Sequence, residues 1–483
     1  MRVYPFADGH AHRPKCHAEN TMNLCTPLVR SAFALSVALA LAGCSSSSSP
    51  SAATTVVGAA VSVPVLITDA PSDQLVTFSI TLNSITLTDS AGKTASILPT
   101  PTTVEICHLN GIQAPLLTAS VPADTYTSAV ITFSNPEITY ISSTGTPVVA
   151  SPTLATTSYT VNFASPITIS SSSTSLLVDL LASQSVTISG TTVTVSPVFK
   201  VTPVAASSTT PMQGQYGTGM DARGAVVSAS GTTLVIQPIS GANITFTTDT
   251  STEYDGVSGL STLTAGELVE VSFTVQTGGT LLAKNIELKD ASSAASNANI
   301  LTGPITSIGS GSFNMALMEE MGKGISSSST GAIYAITANS STTYGIAPQF
   351  QSLSGLPFTP AFSATTMKPG QNVTVTASAL STTASTATAA SITLAPQTLS
   401  GTVASVASVG GYTAYNLTLT PGSAFATLSG ASSVTVYTNT NTVSMNATAI
   451  SAGSTVRFNG LVFYTGSGYA MVAGCSPDGT AGH

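Results

Sequence analysis

The chain has 483 residues, of which 42% are hydrophobic and only 7% are charged, and its net charge is -8. An ordinary soluble domain is about 25% charged, so this composition excludes a charge-rich coiled coil and a disordered acidic tail. Twelve basic residues cannot line a nucleic-acid backbone, and we expect no nucleic-acid partner. At about 100–200 residues per domain, the length predicts roughly three to five units.

The N-terminus has the pattern of an export signal. Residues 31–43 form an apolar run that follows Arg30 and is shorter than the about 20 residues that span a bilayer. The run ends in Leu41-Ala42-Gly43-Cys44, which resembles the cleavage box of bacterial lipoproteins. The resemblance implies that Cys44 carries a lipid that anchors the chain in a membrane. An ordinary signal peptide with a chance cysteine is the alternative.

The organisation of the N-terminus follows from this assignment. We expect residues 1–43 to be the signal peptide, and residues 1–21 to be an over-extended start that precedes Met22. Residues 44–58 contain a run of serines. Because serine-rich segments are flexible and bury no core, these residues are expected to be a tether.

Alternating apolar and polar residues predict strands throughout the next segment. Val76, Phe78, Ile80 and Leu82 alternate with polar residues, and the alternation then changes phase, which predicts a bulge or bend near 83–84. No amphipathic helix is predicted. The sequence therefore predicts an all-β protein that begins with a β-sandwich over residues 59–204. The other predicted strands of this unit lie at 61–68, 128–133, 158–163 and 191–198.

The rest of the chain repeats itself three times. Each unit opens on a Gly-containing strand, at Gly224, Gly303 and Gly401, and later has an apolar residue three positions before a second glycine. We expect that second glycine to supply a positive φ in a turn that feeds directly into a strand. Such units are predicted to be small β-barrels, which leave no open sheet edge. The predicted divisions are a linker 205–221, repeat 222–290, linker 291–300, repeats 301–396 and 397–475, and a tail 476–483.

Two families resemble these units. Val65-Leu66-Ile67-Thr68-Asp69-Ala70-Pro71 resembles the opening of a bacterial lipoprotein domain of unknown function, number forty-three eighty-two in its series. That resemblance extends over about 59–204, with Asp124 where the family usually has glycine. The repeats resemble a second domain of unknown function, number fifty-six sixty-six, with inserts near 311–332 and 346–363 in the second repeat. Neither resemblance implies a catalytic residue or a cofactor.

Nucleophilic catalysis has little support in this sequence. There is no G-x-S-x-G elbow, and beyond Cys44 the histidines are His108 and His483. His483 lies in a Gly-containing tail. We therefore expect a protein that is not an enzyme.

Three sets of residues remain as candidates for binding or cross-linking. Met315, Met318 and Met321, on a turn or short helix, carry soft thioether donors that favour copper(I), although packing of the methionines against a barrel is the favoured explanation. Asp69 and Asp73 are a candidate calcium site, although a turn-shaping role for Asp69 is favoured. Cys107 and Cys475 are a candidate disulfide, because the envelope is oxidising. Cys107-His108 as a metal pair is disfavoured, since neighbours on a strand point to opposite faces.

The sequence thus predicts a lipid-anchored envelope protein, with the outer membrane favoured because Ser45 gives no obvious signal for inner-membrane retention. The expected role is surface binding, adhesion or scaffolding. Its expected partners, besides the membrane itself, are extracellular polysaccharide or envelope proteins. The alternative is a copper-handling envelope lipoprotein that uses the methionine segment.

Overall fold

A computed structural model describes most of residues 58–478. The gaps are at 71, 110–111, 172–174, 207–218, 240, 290–298, 323–328, 348–352, 441 and 445–448. The predicted signal peptide, the predicted lipidation site Cys44 and nearly all of the predicted tether lie outside the described residues. Strands dominate the remainder and only short helices occur among the described elements, so the predicted all-β class is confirmed.

The first domain is a sandwich of two sheets around a shared core. One sheet has the order β12-β9-β1-β5, and the other is built on β2 and β6, with β3 and β4 along β2 and with β7 and β8 along β6. The side chains of both sheets meet in one hydrophobic cluster that includes Val65, Phe78 and Phe133. The elements are β1 (Ala60–Ala70), β2 (Leu75–Asp89), β3 (Thr94–Leu98), β4 (Thr102–Glu105), a 3-10 helix (Cys107–Leu109), β5 (Ile112–Pro122), β6 (Asp124–Ile141), β7 (Pro147–Ala150), β8 (Ser158–Ile169), β9 (Ser175–Leu181), α1 (Ala182–Ser185), β10 (Val186–Ser189), β11 (Thr192–Val195) and β12 (Phe199–Val204).

The phase change predicted in β2 is a register shift against β6. The pairing moves from Leu82 with Phe133 to Ser84 with Thr132, so Asn83 is the extra residue. The buried positions change accordingly from Phe78, Ile80 and Leu82 to Ile85 and Leu87. The predicted bulge is confirmed.

The remaining chain forms three barrels of one topology. The first contains β13 (Gly219–Ser230), β14 (Thr233–Gln237), β15 (Ile244–Thr247), β16 (Glu253–Asp255), a 3-10 helix (Leu260–Thr262), β17 (Leu268–Val275) and β18 (Leu281–Leu288). The second contains β19 (Asn299–Ile308), β20 (Ser312–Ala316), β21 (Glu319–Gly322), β22 (Ile333–Thr337), β23 (Thr343–Ile346), β24 (Asn372–Ser381) and β25 (Thr386–Leu394). The third contains β26 (Gln397–Val409), β27 (Tyr412–Leu419), α2 (Ala424–Ser429), β28 (Ser433–Thr438), β29 (Val443–Ser444), β30 (Thr455–Tyr464) and β31 (Tyr469–Asp478).

Strand pairing closes each barrel. In the first, β13 pairs with β14, β14 with β15, β15 with β18, β18 with β17, and β17 with β13 again. The same circuit is completed by β19, β20, β22, β25 and β24, and by β26, β27, β28, β31 and β30. The closing pair of β15, β22 or β28 with the last strand is parallel, which is the strand order of a five-stranded OB-type barrel.

The opening glycine of each repeat allows two strands to approach closely. A Cβ added at Gly224 would lie 2.6 Å from the carbonyl oxygen of Gln237. At Gly303 and Gly401 it would lie 1.9 Å and 2.0 Å from backbone oxygens of the adjoining strand segment. These distances are too short for any side chain, so the repeated glycine follows from backbone packing.

The second glycine of each repeat lies in a left-handed turn, as predicted. Gly266, Gly370 and Gly453 have φ angles of +86°, +91° and +88°. Each donates its N–H to a carbonyl of the first strand of its own barrel, at 2.7–2.8 Å. The turn therefore fixes where the fourth strand of the barrel begins.

Each repeat contains a polar tract rich in Thr, Ser and Asn, at 249–254, 339–344 and 437–442. These tracts form one recurring turn. In the first barrel the Thr252 hydroxyl accepts from the Asp249 N–H and donates to the Ala283 carbonyl oxygen at 2.8 Å. Thr342 and Thr442 make the corresponding pairs of bonds in the second and third barrels. The threonine thus ties each turn to the last strand of its barrel.

The sandwich and the barrels pack into one compact unit. Gly219 and Met220 of β13 pair with β5, so a single sheet runs from the sandwich into the first barrel. That strand begins inside the predicted 205–221 linker, and β19 likewise begins two residues inside the predicted linker 291–300. The core of the second barrel also takes in Leu461, Phe463 and Val472 from the third.

Candidate functional site

A network of charged side chains lies where the sandwich meets the first two barrels. Arg223 of β13 pairs with Glu270 of β17, at 3.1 Å, and with Glu319 of β21. Lys289 extends the network to Glu270 and Glu287, at 2.7 Å and 2.8 Å. Only 7% of the residues in this chain are charged, so five charged side chains in one network make this junction a candidate functional site.

The network shifts the proton affinities of its acids in opposite directions. Burial opposes ionisation of Glu270, but Arg223 and Lys289 lower its pKa to about 2. Asp221, two residues before Arg223 on β13, has its pKa raised to about 6 by burial and by the charge of Glu270. A Ser272 hydroxyl donates to the Asp221 carboxylate at 2.5 Å and partly offsets that effect.

His108 brings the sandwich into the same junction. Its Nδ1 lies 2.8 Å from Glu105, and burial alone would lower its pKa. The hydrogen bond to Glu105 and the charges of Glu319 and Glu105 outweigh burial and raise the pKa of His108. The Glu105 carboxylate also accepts the backbone N–H groups of Phe78, Cys107 and His108, at 2.9–3.0 Å, so it shapes the 3-10 turn.

Two cavities open on this junction. An outer cleft of about 960 Å³ lies between the sandwich, the first barrel and the second, and its walls include Leu109, Ile239 and Met321. An inner cavity of about 170 Å³ is bounded by the sandwich and all three barrels. Both cavities are lined by His108, Arg223, Met318 and Glu319. The Arg223–Glu319 pair therefore stands between the two spaces.

The three candidate methionines do not converge. Met315 is buried in the core of the second barrel. Met318 packs against the core of the sandwich and against a small cluster that contains Val76 and Ala316. Met321 packs with Leu268 and Ile300. The segment is not a helix or a simple turn but the two short strands β20 and β21, so its side chains point to different surroundings. Their placement agrees with the packing alternative.

The two candidate calcium ligands lie in different surroundings. Asp69 is buried in β1, and neither carboxylate oxygen makes a hydrogen bond within the described residues. Burial, then the charges of Asp179 and Glu105, raise the pKa of Asp69 well above its usual range. Asp73 instead lines the inner cavity. Within the described ranges, no group of three or more His, Cys, Asp or Glu side chains could hold a metal ion.

The candidate disulfide is not formed in this structure, because Cys107 is a free, buried cysteine. Its thiol lies in the 3-10 turn rather than on a strand, and burial raises its pKa well above the usual range, as does the neighbouring Glu105. Cys475 lies on β31, and its side chain is outside the described residues.

Sequence reasoning missed Arg223, Glu270, Glu319 and Asn459 as site residues. The sequence offered one signal for Arg223, since it precedes the opening glycine of the first repeat, where Thr302 and Ser400 stand in the others. Adjacent acidic residues such as Glu319 and Glu320 are most often solvated loop charges, but Glu319 lies on β21 and pairs with Arg223.

These features define a multi-domain all-β protein in which a sandwich and three like barrels enclose a polar junction. Residues 60–197 match the family model described as Domain of unknown function (DUF4382). Residues 223–287 match the model described as Domain of unknown function (DUF5666). Both resemblances drawn from the sequence are thereby confirmed, and the second and third barrels share the topology of the matched first barrel.

No curated protein matches the chain. A solved structure described as "drosophila Unr CSD456" aligns over 53% of this chain and 95% of its own, at 13% identity and a TM-score of 0.13. A TM-score this low carries no argument about the fold. Among the described residues no helix is long and apolar enough to cross a membrane.

Proposed function

We propose that this protein is a lipid-anchored component of a bacterial cell envelope that acts by binding, without catalysis. The observation that carries the proposal is the outer cleft of about 960 Å³, which three domains build together. Its size lies within the range of about 300–1,000 Å³ that is usual for ligand sites. The proposed ligand is an envelope or extracellular polysaccharide segment.

The lining of the cleft supports a neutral polymer. Three carboxylates line the cleft, and each already has a protein partner: Glu105 pairs with His108, Glu319 with Arg223, and Glu320 accepts from the Ser329 N–H. Arg223 is neutralised by two carboxylates. Apolar side chains, hydroxyls and an amide such as Gln237 make up much of the remaining wall. A polymer of sugars offers apolar ring faces and hydroxyl groups to such a surface.

The anchor is tested by a cysteine substitution. Cys44→Ala should release the protein from membranes, whereas Cys25→Ala, which changes a cysteine of the leader, should leave it membrane-bound. A non-penetrating protease applied to intact cells then shows whether the anchored domains face outward. Membrane retention of Cys44→Ala would refute the anchor.

The binding surface is tested with two matched isoleucines. Ile239 is 40% exposed and lines the cleft, whereas Ile308 is 39% exposed and lines neither cavity. Ile239→Glu should abolish co-sedimentation with purified envelope polysaccharide, and Ile308→Glu should not. Equal polysaccharide binding by the two variants would show that the cleft is not the binding surface.

The placement of the three methionines in different clusters does not support the copper alternative.

A further inference from the structure

The inner cavity is formed by corresponding faces of all three barrels. Arg223, Thr302 and Ser400 occupy the same position in their barrels, immediately before the close-packed glycine, and all three line the cavity of about 170 Å³. Their cross-strand partners are Glu270, Thr374 and Arg457. The sandwich closes the fourth side with residues 72–76 and 107–108.

Three polar groups at this cavity have unused hydrogen-bonding capacity. The Oδ1 atom of Asn459 has no partner in the described part of the chain, although the residue is only 9% exposed and its Nδ2 donates to Thr398 at 3.0 Å. No hydrogen bond within the same residues engages the carboxylate of Asp73 or the Nε2 of His108. A buried amide oxygen without a partner is unfavourable, so a ligand or water at this position is expected.

The charge and lining of the cavity restrict the chemistry of that ligand. The charge of Arg223 is balanced by Glu270 and Glu319, and the ring of His108 is paired with Glu105. Asp73 adds one carboxylate to the same lining. The hydroxyl groups of Thr302, Thr374 and Thr398 also line the cavity, and a hydroxyl group can both donate and accept a hydrogen bond. Leu75, Phe425 and Leu428 give the cavity an apolar side as well. This combination favours an uncharged molecule with several hydroxyl groups.

We infer that the inner cavity is a binding site for a small uncharged polyhydroxy compound, between glycerol and a pentose in size. A cavity of about 150 Å³ accommodates benzene, so a space of about 170 Å³ suits a compact molecule. Asp73 and Asn459 accept hydrogen bonds from the ligand. Because the Nδ1 of His108 is turned toward the Glu105 carboxylate, its Nε2 accepts a hydrogen bond from a ligand hydroxyl when the ring is neutral and donates one when the ring is protonated.

The inference is tested by calorimetric titration of the purified full chain with glycerol, D-xylose and, as a small zwitterion, L-alanine. We expect saturable one-to-one binding of glycerol or xylose and none of alanine. Asn459→Leu, which keeps the size but not the polarity, should weaken that binding at least tenfold. Asn314→Leu is the matched control, because Asn314 is exposed and does not line the cavity.

A second variant keeps the test decisive if Asn459→Leu does not fold. Asp73→Leu removes the acceptor oxygens of a half-buried side chain whose carboxylate makes no hydrogen bond in the described part of the protein, so it should fold and still lose at least tenfold in affinity. Absence of saturable binding of both polyols, binding of alanine alone, or polyol binding that neither variant changes would each overturn the inference. It does not depend on the anchor or the polysaccharide, since Ile239→Glu should leave polyol binding intact.

Discussion

At the residue scale, one carboxylate organises the turn that carries Cys107 and His108. Glu105 is nearly fully buried and accepts hydrogen bonds from three backbone N–H groups and from the His108 ring. Buried carboxylates are tolerated where the surrounding donors compensate for lost hydration. The position of His108 at both cavities therefore depends on the charge of Glu105.

Replacing that carboxylate should destabilise the sandwich. Glu105→Gln turns an amide NH₂ toward groups that are themselves donors, and hydrogen bonds to a charged group are worth about 1.5–3 kcal/mol each. We expect the free energy of unfolding of the sandwich, measured by urea denaturation, to fall by about 2–4 kcal/mol. Glu137→Gln, at an exposed position of β6, is the control and should be nearly neutral. A neutral Glu105→Gln would contradict this account of the turn.

Asp221 should make stability depend on pH. Its pKa is raised to about 6 in the folded protein, so its ionised form is disfavoured there. Between its unfolded pKa and about 6 the folded state binds more protons, and the contribution of Asp221 to stability rises as pH falls through this window. Above about pH 6 the folded protein carries the cost of the buried charge.

The expected result follows from comparing the wild type with Asp221→Asn. The variant should be more stable at pH 7 by about 1–3 kcal/mol, since one pKa unit corresponds to about 1.4 kcal/mol. That difference should shrink as the pH falls to about 5, which is still above the window between the ordinary pKa of a glutamate and about 2 in which Glu270 loses its own contribution. Melting temperatures of both proteins at pH 7, 6 and 5 measure the effect, and a constant difference would show that Asp221 does not titrate in this range.

At the scale of elements, glycine sets the geometry of each barrel twice. One glycine lets the first strand pass against a neighbouring backbone, and the other turns the chain into the fourth strand. Such positions accept no side chain, either because space is lacking or because positive φ is strained. These two requirements explain why the repeats keep their glycines at fixed spacing.

A substitution at the first of these glycines should disrupt one barrel. The Cβ of Gly303→Ala would meet the carbonyl oxygen of Ala316 at 1.9 Å, and forced backbone shifts of this kind cost about 1–3 kcal/mol or more. We expect earlier unfolding of the second barrel, visible as loss of hydrogen-exchange protection in β19 and β20. Gly468→Ala has open space around its Cβ and should be neutral. Equal protection in the two variants would disprove the close-packing explanation.

At the scale of the whole molecule, the Arg223 network joins the first barrel to the second. Arg223 belongs to the first barrel, and its partner Glu319 belongs to the second, 96 positions away. A buried ion pair is weak evidence for net stability, but removing one member leaves an uncompensated charge. The network therefore selects one arrangement of the domains.

Removing the arginine should loosen that arrangement. Arg223→Met leaves Glu319 without this partner and Glu270 with Lys289 only, and we expect a loss of about 3–5 kcal/mol. Limited proteolysis should cut faster near the junction while the individual barrels stay protected. Lys93→Met, at an exposed position of the sandwich, provides the comparison. Unchanged proteolysis of Arg223→Met would mean that the domains are held by apolar contacts alone.

The sequence by itself determined the all-β class, the bulge near Asn83, the three repeats and the purpose of the second glycine of each. These features depend on neighbouring residues, through the alternation of side chains along a strand and the steric limits of φ, so a linear pattern records them. Even the recurring Thr252 turn is visible as a polar tract.

Only the tertiary structure decided which side chains meet. The methionines at 315, 318 and 321 are close in sequence but go to different clusters, whereas Arg223 and Glu319 are distant and form a pair. The two cavities exist because whole domains pack against one another, and no local pattern specifies which faces come together. The physical reason is that burial and charge pairing act through space after the strands have formed, so the chemistry of the junction follows from the packing of domains.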